Sequence, residues 1–348
     1  MDNRLLNIYL SRILSGFYLF LHCGKRYKLI YPDINIKYEA ELYAEQEYES
    51  NKFNDWINDD SIVDSLVAIG IWTYNGDDNL KNLEKQIEDL RVDLYKNFLN
   101  PSKIKTLRKT LSNIKRAYNR QYEIRHSLDQ YTAQGYSQLL KNQYILIHSL
   151  FDESNQRVFP SLLDVNMKLF DNLSHTISSS IIDISVFREI ARSDIWRNYW
   201  SANNNSLFDK STINWTDEQK TLVVLTKMYD SAYEHPECPP DSVFEDDDMF
   251  DGWMITQKRE NEKNRNKNRT EKLLEGKKLD KAGEIFIVAN SKEEAQNIYG
   301  LNDHTSRHII KERETILHTT NATIDDGNLP DVKRGLVVQS NQQFKNRK

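Results

Sequence analysis

The chain has 348 residues, 39% hydrophobic and 28% charged, too long for one small core, so a length prior gives two or three compact units. Only 11 Gly and 7 Pro occur, which argues against turn-dense sandwiches, barrels and doubly wound sheets and suits long helices with few connections. The net charge of -5 is small for this size and supplies no global field toward DNA or a membrane, so any such role must be local.

The first element is the apolar run LLNIYLSRILSGFYLFL, Leu5 to Leu21. Asn7, Ser11, Arg12 and Ser15 interrupt it, whereas a spanning helix needs about 20 mainly apolar residues. The polar positions 7, 11 and 15 recur every four residues and leave a broad apolar face, which predicts a half-buried core helix. No small-residue cleavage site follows, and no membrane role is expected. Next, YKLIYPDINIKYEAELYA alternates apolar and polar residues around Pro32 and predicts a short strand or extended arm. INDDSIVDSLVAIGIWTY reads as a capped helix with Ile62, Leu66 and Ile69 on one face and Gly70 near its end.

The strongest pattern runs from Asp77 to Leu150. Leu80, Leu83, Ile87, Leu90 and Leu94 are spaced three, four, three, four, and Phe98 extends the seam. Asn100 is a good N-cap, and Pro101 sits at the first helical position, where a missing N–H costs nothing. Ile104, Leu107, Leu111, Ile114 and Tyr118 then repeat the seam. Two stripes joined by a few residues predict an antiparallel helical hairpin, its second helix continuing toward Leu150 with a break near Gly135. Such seams must be buried against each other or against a partner, so the hairpin reads as an assembly element.

Helical pattern resumes from Ser161 to Tyr199, and SANNNSLFDKSTINW is loop by composition. Thr216 with Gln219 three residues on forms a capping box before an apolar stripe. HPECPPDSVFEDDDMFDG holds three of the seven prolines, and a domain boundary is expected there. Beyond it, Trp253 to Glu275 reads as a charged helix. A short strand, Ile285 to Ala289, follows, then Ser291 capping a helix with Glu294 at the capping-box position, and a further helix from Thr305 to His318. The last thirty residues lack periodicity and read as an extended tail. The expected architecture is therefore mainly α. A helical body spans 1–235 with the hairpin at 77–150, and a Pro/acidic linker spans 236–252. A charged helix with a small strand-helix unit spans 253–318, and the extended tail spans 319–348.

Candidate sites are few. Glu245, Asp246, Asp247, Asp248 and Asp251 are consecutive or nearly so, without the alternating spacing and internal glycine of a calcium loop. They suit a helix N-terminus, where the macrodipole favours acids. Phe250, Trp253, Met254 and Ile255 then form an apolar knot able to dock on the body or on a partner, and they are the protein-contact candidates. Lys263, Arg265, Lys267 and Arg269 are the nucleic-acid candidates, within a helix whose Lys258 to Lys272 are interleaved with Glu260, Glu262 and Glu271. That interleaving, without aromatic residues for base stacking, favours a solvated or protein-facing helix. His304, His308 and Glu312 stand at four-residue steps but lack the remaining ligands of a zinc helix. His235 and Cys238 stand alone, and Cys23 and Cys238 suit two reduced thiols. No phosphate-binding loop, dinucleotide fingerprint, nucleophile elbow or kinase signature occurs, so no metal and no cofactor is expected.

The acidic run, the Gly252-Trp253 step and the strand-helix AGEIFIVANSKEEAQNIYGLND resemble the C-terminal region of uncharacterised late-gene proteins of tailed bacteriophages, virion or tail-assembly components. The resemblance covers the C-terminal quarter and carries no catalytic or binding residue. It implies a non-enzymatic tail, baseplate or connector component, or a tail-assembly chaperone. The partners would be other phage structural or assembly proteins, or a second copy, in the host cytoplasm during assembly or in the virion. The alternative is a nucleic-acid-binding protein of genome packaging or handling, acting through the basic 258–272 helix.

Overall fold

The fold is mainly helical with one small three-stranded sheet. The computed structural model describes residues 3–52, 61–162, 165–203, 207–275 and 292–300, with scattered positions between 302 and 338. Gly16 decides the course of the N-terminus. Helix α1 (Asn3–Ser15) buries Leu6, Leu10 and Ile13 and stops where Gly16 adopts φ +71, a left-handed conformation that ends helices cheaply only in glycine. The chain leaves as β1 (Phe17–His22), paired antiparallel with β2 (Lys25–Ile30). Cys23 (φ 49) and Gly24 (φ 76) make the two-residue turn, both at positive φ, which matches the twist of the strands. The apolar run from Leu5 to Leu21 is thus a helix followed by a strand, a correction to the single core helix expected.

Strand β2 also pairs with β3 (Leu150–Phe151), giving the order β1-β2-β3. The alternation around Pro32 is strand only through Ile30. Asp33 then accepts from the Ile36 N–H at 2.9 Å and starts α2 (Ile34–Asn51). Ala40 and Ala44 are the buried residues of α2, small enough for close packing on α6 (Ala133–Ser149). Helix α3 (Ile62–Ile69) ends on Gly70 at φ 82.

The hairpin is present as α4 (Gly76–Lys96) and α5 (Pro101–Arg125). Asn100 Oδ1 accepts from the Lys103 N–H at 3.2 Å, and Leu94 and Leu111 are fully buried on the seam. The second helix ends at Arg125, earlier than the break expected near Gly135. Thr132 caps α6 by accepting from the Gly135 N–H at 2.9 Å. Gly135 is required for closeness, since a Cβ there would lie 1.8 Å from the Asp129 carbonyl oxygen.

Helices α7 (Met167–Ser178), α8 (Ile184–Arg192), α9 (Asp194–Ala202), α10 (Asp217–Tyr233), α11 (Asp241–Phe244) and α12 (Asp247–Glu275) follow. The larger core gathers α1, the hairpin seam and α8 to α12 around Trp196, Leu222, Tyr229 and Phe250. A smaller one joins the sheet to α6 and α7 through Phe20, Leu29, Leu150 and Leu173. The capping box of α10 forms as read, and Gln219 does more than cap: its Nε2 donates to the Ile13 carbonyl at 2.9 Å, tying the end of α1 to the start of α10.

The chain divides into two compact units, Met1–Trp253 and Met254–Lys348. The segment 236–252, expected as a linker, buries Val243, Phe244, Met249 and Phe250 in the larger core, so the division falls later, inside α12. Its prolines end a helix, but its apolar residues are core. The second unit holds the rest of α12 and α13 (Lys292–Gly300), where Arg307 Nη2 donates to the Gly300 carbonyl at 2.7 Å. The strand expected at 285–289 and its capping Ser291 lie outside the described residues, as does most of 305–318. Within the expected extended tail, residues 334–338 are helical and Leu336 is buried, a correction to the extended reading of that stretch. No helix among the described residues is long and apolar enough to cross a membrane.

Candidate functional site

The acid-rich start of α12 is the most elaborate polar assembly among the described residues. Asp246 Oδ1 accepts from the Met249 N–H at 2.9 Å, the position of an N-cap, and Asp247 and Asp248 occupy the first turn, where the helix dipole stabilises them. One turn on, Gly252 lets α12 cross α4 at backbone contact: a Cβ there would lie 2.0 Å from the Arg91 carbonyl oxygen.

Five cations from three helices meet these acids. Asp248 Oδ1 accepts from Lys115 Nζ at 2.7 Å and Arg91 Nε at 3.1 Å. Asp251 takes Arg188 Nη2 at 2.6 Å and Arg91 Nη1 at 3.3 Å. Arg192 Nη1 reaches Asp247 Oδ1 at 2.8 Å, the Phe244 carbonyl at 2.8 Å and the Tyr229 hydroxyl at 2.9 Å. Arg108 pairs with Asp246. Burial alone would raise the Asp248 carboxyl, but Lys115 and Arg91 outweigh it and hold the group below the usual aspartate value. Burial would likewise lower Arg188, and Asp251 outweighs it to raise the guanidinium. Tyr229 is pushed up to about 12, mainly by burial. Asp246, Asp247, Asp248 and Asp251 are all matched by cations, so the arrangement fixes the root of α12 in place. Among the described residues no three His, Cys, Asp or Glu side chains group to hold a metal ion.

The apolar knot divides by exposure. Phe250 is fully buried, stacked on Tyr229 at 4.8 Å, and Trp253 is 2% exposed with Nε1 donating to the Glu237 carbonyl at 3.2 Å. Those two dock on the chain's own body. Ile255 is partly buried, and Met254, 37% exposed, faces outward. Lys263 and Arg265 are exposed on α12; Lys267 and Arg269 belong to the same helix, their side chains outside the described residues. His304, His308 and Glu312 also lie outside them. His235 meets the Trp253 ring edge-on at 5.4 Å, and Cys23 and Cys238 are free and exposed.

The partners of the acids had no local signature. Arg91, Arg108 and Lys115 lie more than 130 residues before the aspartates they meet. The one signal available was Arg188 and Arg192, four apart beside the buried Phe187, Ile190 and Ala191: two cations on the edge of a core face call for acids from elsewhere.

Two further features stand in the first unit. Arg12, Tyr31 and Glu218 form a half-buried cluster: Arg12 Nη2 donates to the Tyr31 hydroxyl at 2.8 Å, and both groups bond Glu218. Burial and the Glu218 charge raise the Tyr31 hydroxyl far above its usual value. A cleft of about 880 Å³ opens between α3, α6, α7 and the end of α5, lined in part by Ile62, His126, Asp129, Gln138 and Ser174. In it His126 Nδ1 lies 2.6 Å from Asp129 Oδ2, and the Ser174 hydroxyl is buried with no partner among the described residues. No family model, no curated protein and no solved structure matches this chain.

Proposed function

We propose that the chain is a non-enzymatic structural or assembly protein of a tailed bacteriophage, a tail, baseplate or connector component or a tail-assembly chaperone, acting through protein-protein contacts. The observation that carries this reading is the mounting of α12. Its first two turns are fixed by the matched aspartates, by buried Phe250 and Trp253 and by the Gly252 crossing, and its continuation through Lys258 to Arg265 is exposed. A helix held so firmly at one end, with a solvated face beyond, is built to present that face. The seam-paired hairpin and the likeness of the C-terminal region to late-gene proteins support the same reading. Mass spectrometry of purified particles and of assembly intermediates tests it. The chain is expected at a fixed copy number in one or the other, and its absence from both would refute the proposal.

A further inference from the structure

We propose that the cleft between α3, α6, α7 and the end of α5 binds a neutral saccharide of two or three rings. The site lies apart from α12 and goes beyond the assembly role. Gln134, Gln138 and Asn142 recur every four residues and so form one row along α6, with Leu139, Gln143 and Leu146 on the row beside it. Both rows line the cleft, and Gln130 joins them from the turn before α6. Five amide side chains thus border one space of about 880 Å³, within the range of small-ligand sites. Ser174 of α7 also lines it, and its hydroxyl is buried with no partner among the described residues. A buried hydroxyl without a partner is costly, and a ligand oxygen reaching it removes that cost.

The missing charge selects the ligand class. An ordinary solvated helix carries Lys and Glu on its open rows, as α4 does with Asp78, Lys81, Glu84 and Lys85 exposed. The cleft rows of α6 carry none. The charged groups that line the cleft are paired within the fold: Arg125 Nε donates to Asp77 Oδ1 at 3.0 Å, and His126 Nδ1 lies 2.6 Å from Asp129 Oδ2. A phosphate or carboxylate ligand would find no unpaired cation among these residues. A nucleobase would find no open phenyl face, since Phe170 is 5% exposed, and His126 is already packed on Tyr122 at 4.2 Å. A peptide strand would find no sheet edge, because the walls are helices whose main-chain groups are paired internally. A sugar fits what remains. Each amide offers a donor and an acceptor side by side, as two neighbouring hydroxyls require, and Ile62, Leu139 and Leu146 offer aliphatic surface to the C–H face of a pyranose.

The test is saturation-transfer NMR on the full chain with maltotriose, mannotriose, lactose and triacetylchitotriose as probes, each at about 5 mM. At least one is expected to bind with a Kd below about 1 mM. Gln138→Ala with Asn142→Ala, which removes two amides from an exposed helix row, should weaken that binding at least about tenfold with the melting temperature unchanged. Ser174→Ala should weaken it about fivefold while the melting temperature stays the same or rises, because an unpaired buried hydroxyl is deleted. A serine that served the fold alone would give the opposite pair of results. Between about 50 and 300 mM salt the Kd should stay within about twofold, since no ion pair forms. The proposal is overturned by no binding of any of the four probes, or by wild-type affinity in either variant. Steep salt dependence, or displacement of the sugar by an equal concentration of inorganic phosphate or ATP, would also overturn it and assign the cleft to an anion.

Discussion

Gly252 has no side chain because α12 crosses α4 there at backbone distance. Alanine would improve helix propensity by about 1 kcal/mol, yet its Cβ would collide with a carbonyl oxygen that a whole helix holds in place. The steric term wins, so Gly252→Ala should destabilise the first unit by about 2–3 kcal/mol in urea unfolding. An unchanged midpoint would mean that the crossing is looser than described. Asp248 gives a pH prediction. Its pKa is lower in the folded state than the ordinary 3.8, so its stabilisation is present above that value and is lost as pH falls through the folded pKa. Stability of the wild type should therefore decline below about pH 4. Asp248→Asn should be flatter across that window and less stable at neutral pH, by an amount between the ~1 kcal/mol of surface pairs and the ~3–5 kcal/mol of broken buried ones. Thermal melts against pH of the two proteins make the comparison.

At the scale of elements, what could be read from sequence was what local chemistry determines. The Thr216–Gln219 box, the Asn100 cap with Pro101 and the two leucine-isoleucine seams each specify their own neighbourhood, and each is present. Long-range consequences were not legible. The aspartates of 246–251 looked like part of a linker because proline and acid content mark loops on average, whereas here distant arginines and buried Phe244 and Phe250 convert the segment into core. The end of α1 was missed for a related reason: apolar content runs on past Gly16 while the secondary structure changes. The hairpin prediction is quantitative. Leu94 and Leu111 are fully enclosed between the two helices and the larger core, so Leu94→Ala and Leu111→Ala should each cost about 2–5 kcal/mol. Asn100→Ala, which removes only a cap, should cost about 1 kcal/mol. If the leucine variants fall in the range of the cap variant, the seam is not the buried contact described.

The whole molecule comprises two compact units, a mainly helical Met1–Trp253 and a second, Met254–Lys348. Deleting 319–348 should leave the melting of the first unit unchanged while reducing incorporation into particles; unchanged incorporation would remove that segment from the interaction. The central claim is that the chain works by touching other macromolecules through helical faces. The most direct measurement is lysine-reactive cross-linking mass spectrometry on purified particles and assembly intermediates. Cross-links from Lys258 and Lys263 of α12 to other virion or assembly proteins are expected. Recovery of the chain with internal cross-links alone in every fraction would contradict it.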